Sequence, residues 1–380
     1  MKFIHTSDWH IGRQFHNVSL LEDQRYVLDQ IVGYIEQEAV DALVIAGDIY
    51  DRSVPPASAV TMLDEFISRI CSDMQVPVIL IPGNHDGAER LSFGSRQLSS
   101  AGLHIIGDLK QVEEPVLIKS EAGDIAFYGI PYNDPETIRN LFDADVTSYD
   151  EAHTFLVDKI KSVKNEDQQS VLISHCFLDG AQESESERPL SIGGADRVSY
   201  EPCVDFDYVA LGHLHSPQYK GEEHIRYSGS ILKYSFSEQN QKKGVTLVEL
   251  DQDGLKQSRH LPLKPLRDMR IVEGEIQAIL EQGKVDPNNE DYLLVRLTDR
   301  TATLDPMNKL RSVYPNVLHL EKPGMLETGD QKVSRETLKR GELEMFRDFF
   351  VQITGQALND AQDEAIQQAI TELNKQEAEA

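Results

Sequence analysis

The sequence predicts an α/β protein whose strand ends gather on a common ligand site. Two observations predict it. Short, near-continuous aliphatic segments recur along the N-terminal part of the chain, and each stops at a residue able to bind a metal. Between the first of them lie stretches whose apolar residues repeat at helical spacing. Continuous Val, Ile and Leu runs read as strands buried on both faces. Alternation of strand and helix then gives a sheet covered by helices.

The first segment, Lys2 to Thr6, leads to Asp8. Leu20, Val27, Leu28, Ile31 and Ile35 then mark one helical face through LLEDQRYVLDQIVGYIEQ. Ala42 to Ala46 leads to Asp48, and PPASAVTMLDEFISRI follows, opening on prolines and carrying Met62, Phe66 and Ile70 at i, i+4 and i+8. Val78 to Ile81 leads to Asn84, Val171 to Ile173 to His175, and Tyr208 to Leu211 to His213. DGAQESESERPLS, Asp179 to Ser191, reads as an exposed acidic loop or lid. A strand pair near Ile225 to Phe236 and Gly244 to Leu250 is expected to close this main domain, residues 1–262.

Pro262 and Pro265 punctuate a boundary. Met269 to Val272, a helix to about Gln282, Tyr292 to Leu297, a helix near Met307 and Val317 to Leu320 predict a small α/β domain over 265–322. Glu321 to Asp330 holds Pro323, Gly324 and Gly329, so a linker is expected over 323–340. The tail, 341–380, reads as two amphipathic helices joined through Thr354 to Asn359. Leu343, Phe346, Phe350 and Ile353 form one stripe, and Ala365, Ile366, Ala369, Ile370 and Leu373 the other. Such stripes either pack onto the main domain or bind a partner.

Composition bounds the function classes. Charged residues at 27% and hydrophobic residues at 40% fit a soluble globular protein. A net charge of −27 repels polyanions, so any nucleic acid must be held by local basic patches, bound metal or another subunit. The three cysteines, Cys71, Cys176 and Cys203, form no CxxC pair and argue against a disulfide framework. MKFIHTSDWH lacks a signal-peptide core, and no apolar run reaches the ~20 residues that span a bilayer. A cytoplasmic location is expected. No GxxxxGK[ST] string occurs, so no ATP site is expected in this chain.

The strand ends supply the chemistry: Asp8-Trp9-His10, Gly47-Asp48, Gly83-Asn84-His85-Asp86, Ser174-His175 and Gly212-His213-Leu214-His215. Carboxylate, imidazole and amide oxygen together suit Mn²⁺ or Fe²⁺ better than thiolate-rich structural zinc. Two ions held ~3.5–4 Å apart need a bridging ligand, and Asp48 is the natural bridge because a carboxylate has two oxygens. Any one of these fragments alone is ordinary; their succession after buried strands is not. Arg13, Arg52, Arg90 and Arg96 fall on or just after motif loops, where Arg13, Arg52 and Arg90 are candidate DNA-backbone contacts and Arg96 reads as a surface ion pair. Trp9 and Cys176 read as packing residues, as do the histidines outside the motifs.

DWH, GDIYD, GNHD, SH and GHLH, in this order, resemble the five signature motifs of calcineurin-like metallophosphoesterases. The longer strings TSDWHIGR, AGDIYDRS, PGNHDGAERLSFGS, ALGHLHSPQ and YSGSILKYSFSE resemble the SbcD family of nuclease subunits, strongly to about Leu250 and more loosely beyond. The resemblance implies a β-sandwich flanked by helices, α-β-β-α, with a small α/β capping domain and a helical tail. It implies two Mn²⁺ ions, replaceable by Fe²⁺ or Mg²⁺. One would be held by Asp8, His10, Asp48 and His215, the other by Asp48, Asn84, His175 and His213.

The same resemblance leaves His85 beside the metals, where an imidazole of ordinary pKa near ~6.5 protonates or steadies the leaving oxygen. Asp86 either orients that imidazole or caps the turn. The implied activity is 3′→5′ exonucleolytic cutting of double-stranded DNA ends and endonucleolytic cutting of single strands and hairpins, in replication and recombination. The implied partners are DNA and an SMC-like ATPase, SbcC, docked through the tail, with the nuclease domain forming a homodimer inside a heterotetramer. The rival on the same scaffold is a small-substrate phosphodiesterase or phosphatase.

Overall fold

The computed structural model describes residues 1–120, 123–187, 196–299 and 303–322, and beyond them residues 343, 346–347, 350–351 and 356–378. The expected linker and much of the first tail helix therefore lie outside the described residues. Two compact units are present. One comprises Met1–Arg270 with Glu290–Tyr292, the other Ile271–Asn289 with Leu293–Ala380.

The larger unit holds two six-stranded sheets. In the first, the order is Gly254–Pro262, Gly244–Asp251, Lys2–Thr6, Ala42–Ala46, Val78–Ile81, Leu103–Ile105. The last four run parallel, and the first two are antiparallel additions at one edge. In the second, the order is Gln218–Lys220, Glu222–Tyr227, Tyr208–Gly212, Ser170–His175, Ile125–Ile130, Val116–Ile118. Its four central strands are parallel, with an antiparallel strand on each edge.

The sheets pack face to face because their strands are apolar on both sides. Phe3, Val44, Ile79 and Ile81 of the first meet Phe127, Val171, Ile173 and Ala210 of the second in one buried cluster. Leu43 and Ile45 point the other way and are equally buried, so that face is covered too. On the far side of the second sheet, Tyr128, Leu172 and Val209 pack with Leu156, Val157 and Ile160 of the helix Tyr149–Val163. That helix starts on a capping box formed by Ser148 and Glu151. The helix Leu21–Glu38 buries the stripe that periodicity marks. The architecture is the α-β-β-α sandwich.

The strand expected over Ile225 to Phe236 is instead Glu222–Tyr227, and it does not pair with Gly244–Asp251. Glu222–Tyr227 lies in the second sheet beside Tyr208–Gly212, while Gly244–Asp251 lies in the first beside Lys2–Thr6. Proximity in sequence favours a hairpin, but Ser228 to Ser235 carries the chain from one sheet to the other.

In the smaller unit, strands Met269–Gly274, Tyr292–Leu297 and Val317–Glu321 form a sheet in that order. Helices Ile276–Gly283 and Pro306–Arg311 accompany it, around a core containing Val272, Ile279, Val295, Leu310 and Tyr314. Asp360–Ala378 is a helix, tied to the preceding segment by the Arg347–Asp363 ion pair. Among the described residues no helix is long and apolar enough to cross a membrane.

Candidate metal centre

The carboxyl ends of the strands of both sheets meet at one rim of the sandwich. The two sheets are stitched there by site residues themselves. The backbone N–H of His213 donates to Asp8 at 3.0 Å, and His175 Nδ1 lies 2.9 Å from the Ala46 carbonyl. A carbonyl only accepts, so that nitrogen of His175 carries the proton and Nε2 keeps its lone pair.

The turns that deliver these groups are strained. Asp8, His10, Asp48 and His213 all have positive φ, at 53°, 46°, 52° and 105°, which non-glycine residues seldom adopt. Glycines make room for them. A Cβ on Gly83 would strike the Asp48 carboxylate, one on Gly47 the His175 ring, and one on Gly212 the Ala46 carbonyl. These are the glycines of the GD, GN and GH strings, so two of the motif glycines clear an expected ligand and the third lets the two sheets approach.

The expected ligands converge. His10 Nε2 and His215 Nε2 face each other at 3.1 Å. Asn84 Oδ1 lies 3.0 Å from His175 Nε2 and 3.2 Å from His213 Nδ1. Asp48 Oδ2 is 3.7 Å from His10 Nε2 and 3.7 Å from His175 Nε2, one histidine of each expected set. Asp48 Oδ1 accepts the His85 backbone N–H at 2.9 Å, which fixes the carboxylate with Oδ2 turned toward both histidines. One ligand atom from each of Asp8, His10 and His215 fits within 4.8 Å, and the same holds for Asp8, Asp48 and His175.

The electrostatics fit a cation pair. Burial lowers the pKa of His10, His175, His213 and His215, so the imidazoles are neutral donors of lone pairs. Burial and the neighbouring Asp48 charge push Asp8 well above the usual carboxylate range. Two buried carboxylates beside each other amid converging lone pairs are stabilised by bound positive charge. Carboxylate, imidazole and amide oxygen are also the donors that hard to borderline divalent ions take.

His85 stands beside this cluster, its ring centroid 4.7 Å from that of His10. Its Nδ1 is 2.9 Å from the Asp51 carbonyl oxygen. Asp86 does not orient it. The Asp86 carboxylate accepts the backbone N–H groups of Gly83, Ile49 and Tyr50 at 2.9, 3.0 and 2.9 Å, which ties the Asp48 and Asn84 loops together. Burial and the Asp48 charge raise Asp86 to about 7.

Trp9 is fully buried, donates to Thr6 and packs edge-on against Phe66. Cys176 is buried with its thiol raised to about 12. Arg13, a candidate DNA contact, is half-buried in the wall of the site. It pairs with Asp51 at 3.2 Å and lies over the Tyr234 ring at 5.0 Å. Arg52 and Arg90 are exposed.

Sequence reasoning missed several supports. Gln24 donates to the carbonyls of Trp9 and His10, fixing the first motif loop. The acidic loop is not wholly exposed: Ser184, Ser186 and Glu187 are half-buried, the last two against His215. Glu238 and Lys243 form an ion pair of 2.6 Å, 0% and 4% exposed, next to the same histidine. Glu238 ends the YSGSILKYSFSE string, but nothing in its spacing announces a role at a site assembled from other segments.

Residues 1–217 match the calcineurin-like phosphoesterase family, and residues 265–354 match the family described as Type 5 capsule protein repressor C-terminal domain, SbcD_C. The SbcD subunit of the SbcCD nuclease of Staphylococcus epidermidis is 35% identical over 372 residues, covering 98% of either chain. Among solved structures, TT1561 of Thermus thermophilus is similar over 68% of this chain and 98% of its own, with 12% identity and a TM-score of 0.39. Yfce, a phosphoesterase from E. coli, covers 68% of this chain and 99% of its own, with 12% identity and a TM-score of 0.28. Those scores are too low to carry an argument, whereas the sequence matches are extensive. The chain belongs to the calcineurin-like phosphoesterases, metal-dependent hydrolases of phosphate esters, and within them to the SbcD family.

Proposed function

We propose that this chain is the DNA-cutting subunit of an SbcCD-type complex. One Mn²⁺ is held by Asp8, His10, Asp48 and His215, and the other by Asp48, Asn84, His175 and His213. The reading is carried by the convergence of these donors at one rim, with a single Asp48 oxygen equidistant from a histidine of each set. When bound, the ions supply positive charge for the phosphate and lower the pKa of water.

The chain's own residues do the rest. Asn84 contributes a neutral oxygen, so the centre keeps the positive charge that the net charge of −27 denies the surface. His85, its Nδ1–H donated to the Asp51 carbonyl, keeps Nε2 free to hold or deliver a proton at the leaving oxygen. Arg52, exposed and 3.7 Å from Asp51, and Arg90, also exposed, are the side chains offered to the DNA backbone.

The substrate is double-stranded DNA cut 3′→5′ from its ends, with endonucleolytic cutting of single strands and hairpins, in the cytoplasm. Residues 1–262 form the nuclease domain and 265–322 cap it; 323–340 link it to a tail, 341–380, that docks an SbcC-type ATPase, and the nuclease domain dimerises. Support comes from the full-length similarity to a relative named a nuclease subunit. The test compares Mn²⁺-dependent degradation of linear duplex DNA with hydrolysis of a small aryl phosphodiester. Degradation of the duplex is expected; activity on the small ester alone gives the small-substrate phosphodiesterase its place.

A further inference from the structure

Side chains from distant segments converge behind His215, on the side away from His10. Ser186 Oγ lies 2.7 Å from His215 Nδ1. Glu238 Oε1 accepts the Ser186 hydroxyl and is itself 3.4 Å from the same ring nitrogen. The other Glu238 oxygen takes the Lys243 ammonium at 2.6 Å and the Tyr234 backbone N–H at 3.3 Å. Lys243 also donates to the His215 carbonyl and to Ser230 Oγ, both at 2.8 Å. Glu187, one residue beyond Ser186, accepts the His215 backbone N–H at 2.6 Å.

The direction of this chain of hydrogen bonds is fixed by its chemistry. An ionised carboxylate facing an ammonium can only accept, so the Ser186 hydroxyl spends its one proton on Glu238. Its lone pair is then left for His215, which must donate through Nδ1–H. That tautomer leaves Nε2 without a proton, aimed at His10 Nε2. Partners of this kind are what orient metal-binding imidazoles and set their tautomer.

We propose that Glu238, acting through Ser186 and held by Lys243, is the positioning residue that fixes His215 as an Nε2 metal donor. The Ser184 to Glu187 segment is then a structural part of the metal centre rather than a surface loop. This rests on the assignment of His215 to the ion shared with Asp8, His10 and Asp48.

Glu238→Gln inverts the chain. Lys243 keeps the amide oxygen on its side, so the amide N–H₂ faces Ser186, whose proton turns toward His215 Nδ1 and drives the ring proton onto Nε2. Mn²⁺ titration of full-length protein followed by electron paramagnetic resonance reads both ions. The parent is expected to bind two. In Glu238→Gln one of them weakens about 10–100-fold, as loss of an outer partner does, while the other keeps its affinity. Ser186→Ala, a smaller change in a half-buried segment, is expected to weaken the same ion about 10-fold. In ¹⁵N spectra of histidine-labelled, metal-free protein, His215 is expected to carry its proton on Nδ1 in the parent and on Nε2 in Glu238→Gln. Selective weakening of one ion together with that tautomer change is not what a general loss of packing produces. Parent-like affinity for both ions in Glu238→Gln overturns the proposal, and if that variant does not fold, parent-like affinity in Ser186→Ala does so. A parent that binds no Mn²⁺ overturns the metal assignment itself.

Discussion

Asp48 and His85 occupy neighbouring positions with opposite demands, and their variants separate metal binding from proton transfer. Asp48 Oδ2 faces both expected ion positions. Asp48→Asn is therefore expected to weaken both Mn²⁺ ions, by about 100-fold or more, measured by calorimetric titration. His85 touches the Asp51 carbonyl and belongs to neither expected ligand set, although His10, Asp51 and His85 each place one ligand atom within 4.8 Å of the others. His85→Gln keeps a polar side chain of similar reach and is expected to bind both ions normally, with cleavage of duplex DNA reduced about 10²–10⁴-fold. Normal cleavage in His85→Gln removes that residue from the reaction. Asp48 was singled out by the succession of donors after buried strands, His85 by the resemblance of its motif to the family's. Asp86 was left open between orienting the imidazole and capping the turn, because a carboxylate next to an imidazole suits either; its position in the turn aims it at three backbone amides.

At the scale of elements, strand ends and the glycines after them behave as one design. The Ala42–Ala46 strand presents its last carbonyl where a Gly212 side chain would lie. Gly212→Ala must push the two sheets apart at the metal rim and is expected to cost on the order of 3 kcal/mol, read as a lower urea midpoint, with weaker Mn²⁺ binding besides. Gly33 is the contrast. It lies inside the helix Leu21–Glu38 with nothing nearer its missing Cβ than Gln37 Nε2 at 4.0 Å. Gly33→Ala is expected to stabilise by about 0.5–1 kcal/mol. Equal effects of the two substitutions contradict the clearance role given to Gly212. Strands with continuous aliphatic runs were readable because both of their faces are buried; the short edge strands Leu103–Ile105 and Val116–Ile118 carry too little pattern to stand out.

For the molecule as a whole, stability must depend on pH through histidines buried neutral. His5 is fully buried; one ring nitrogen faces the Leu211 carbonyl at 3.1 Å and the other the Tyr208 hydroxyl at 3.0 Å. Burial lowers its pKa from 6.5 to about 3. The unfolded chain therefore binds a proton that the native chain refuses between those values, so this contribution is complete above pH 6.5 and is lost as pH falls toward 3. Between pH 7 and pH 5 the loss from His5 is about 2 kcal/mol. Urea unfolding in chelator is expected to show the parent losing that much more stability over this interval than His5→Gln; parallel losses refute the assignment. On the same scale, removal of residues 341–380 is expected to spare Mn²⁺-dependent cleavage and abolish co-purification with the ATPase partner, and retained association returns the tail to a packing role.

The sequence by itself determined which donor residues stand at the strand ends and to which family their order belongs. One such strand end is ordinary, but five in succession after buried strands are not, and the motif order tied them to a family. What only the tertiary structure decided is how they are shared out. The five motif strands divide between two sheets, three in one and two in the other, because register and sheet membership depend on contacts between segments distant in sequence, the pairing of Lys2 with Glu249 among them. The same non-locality hid the support of His215. Ser186, Glu238 and Lys243 acquire a role only because the folded chain brings their segments behind one imidazole, and no periodicity or local spacing records a meeting in space.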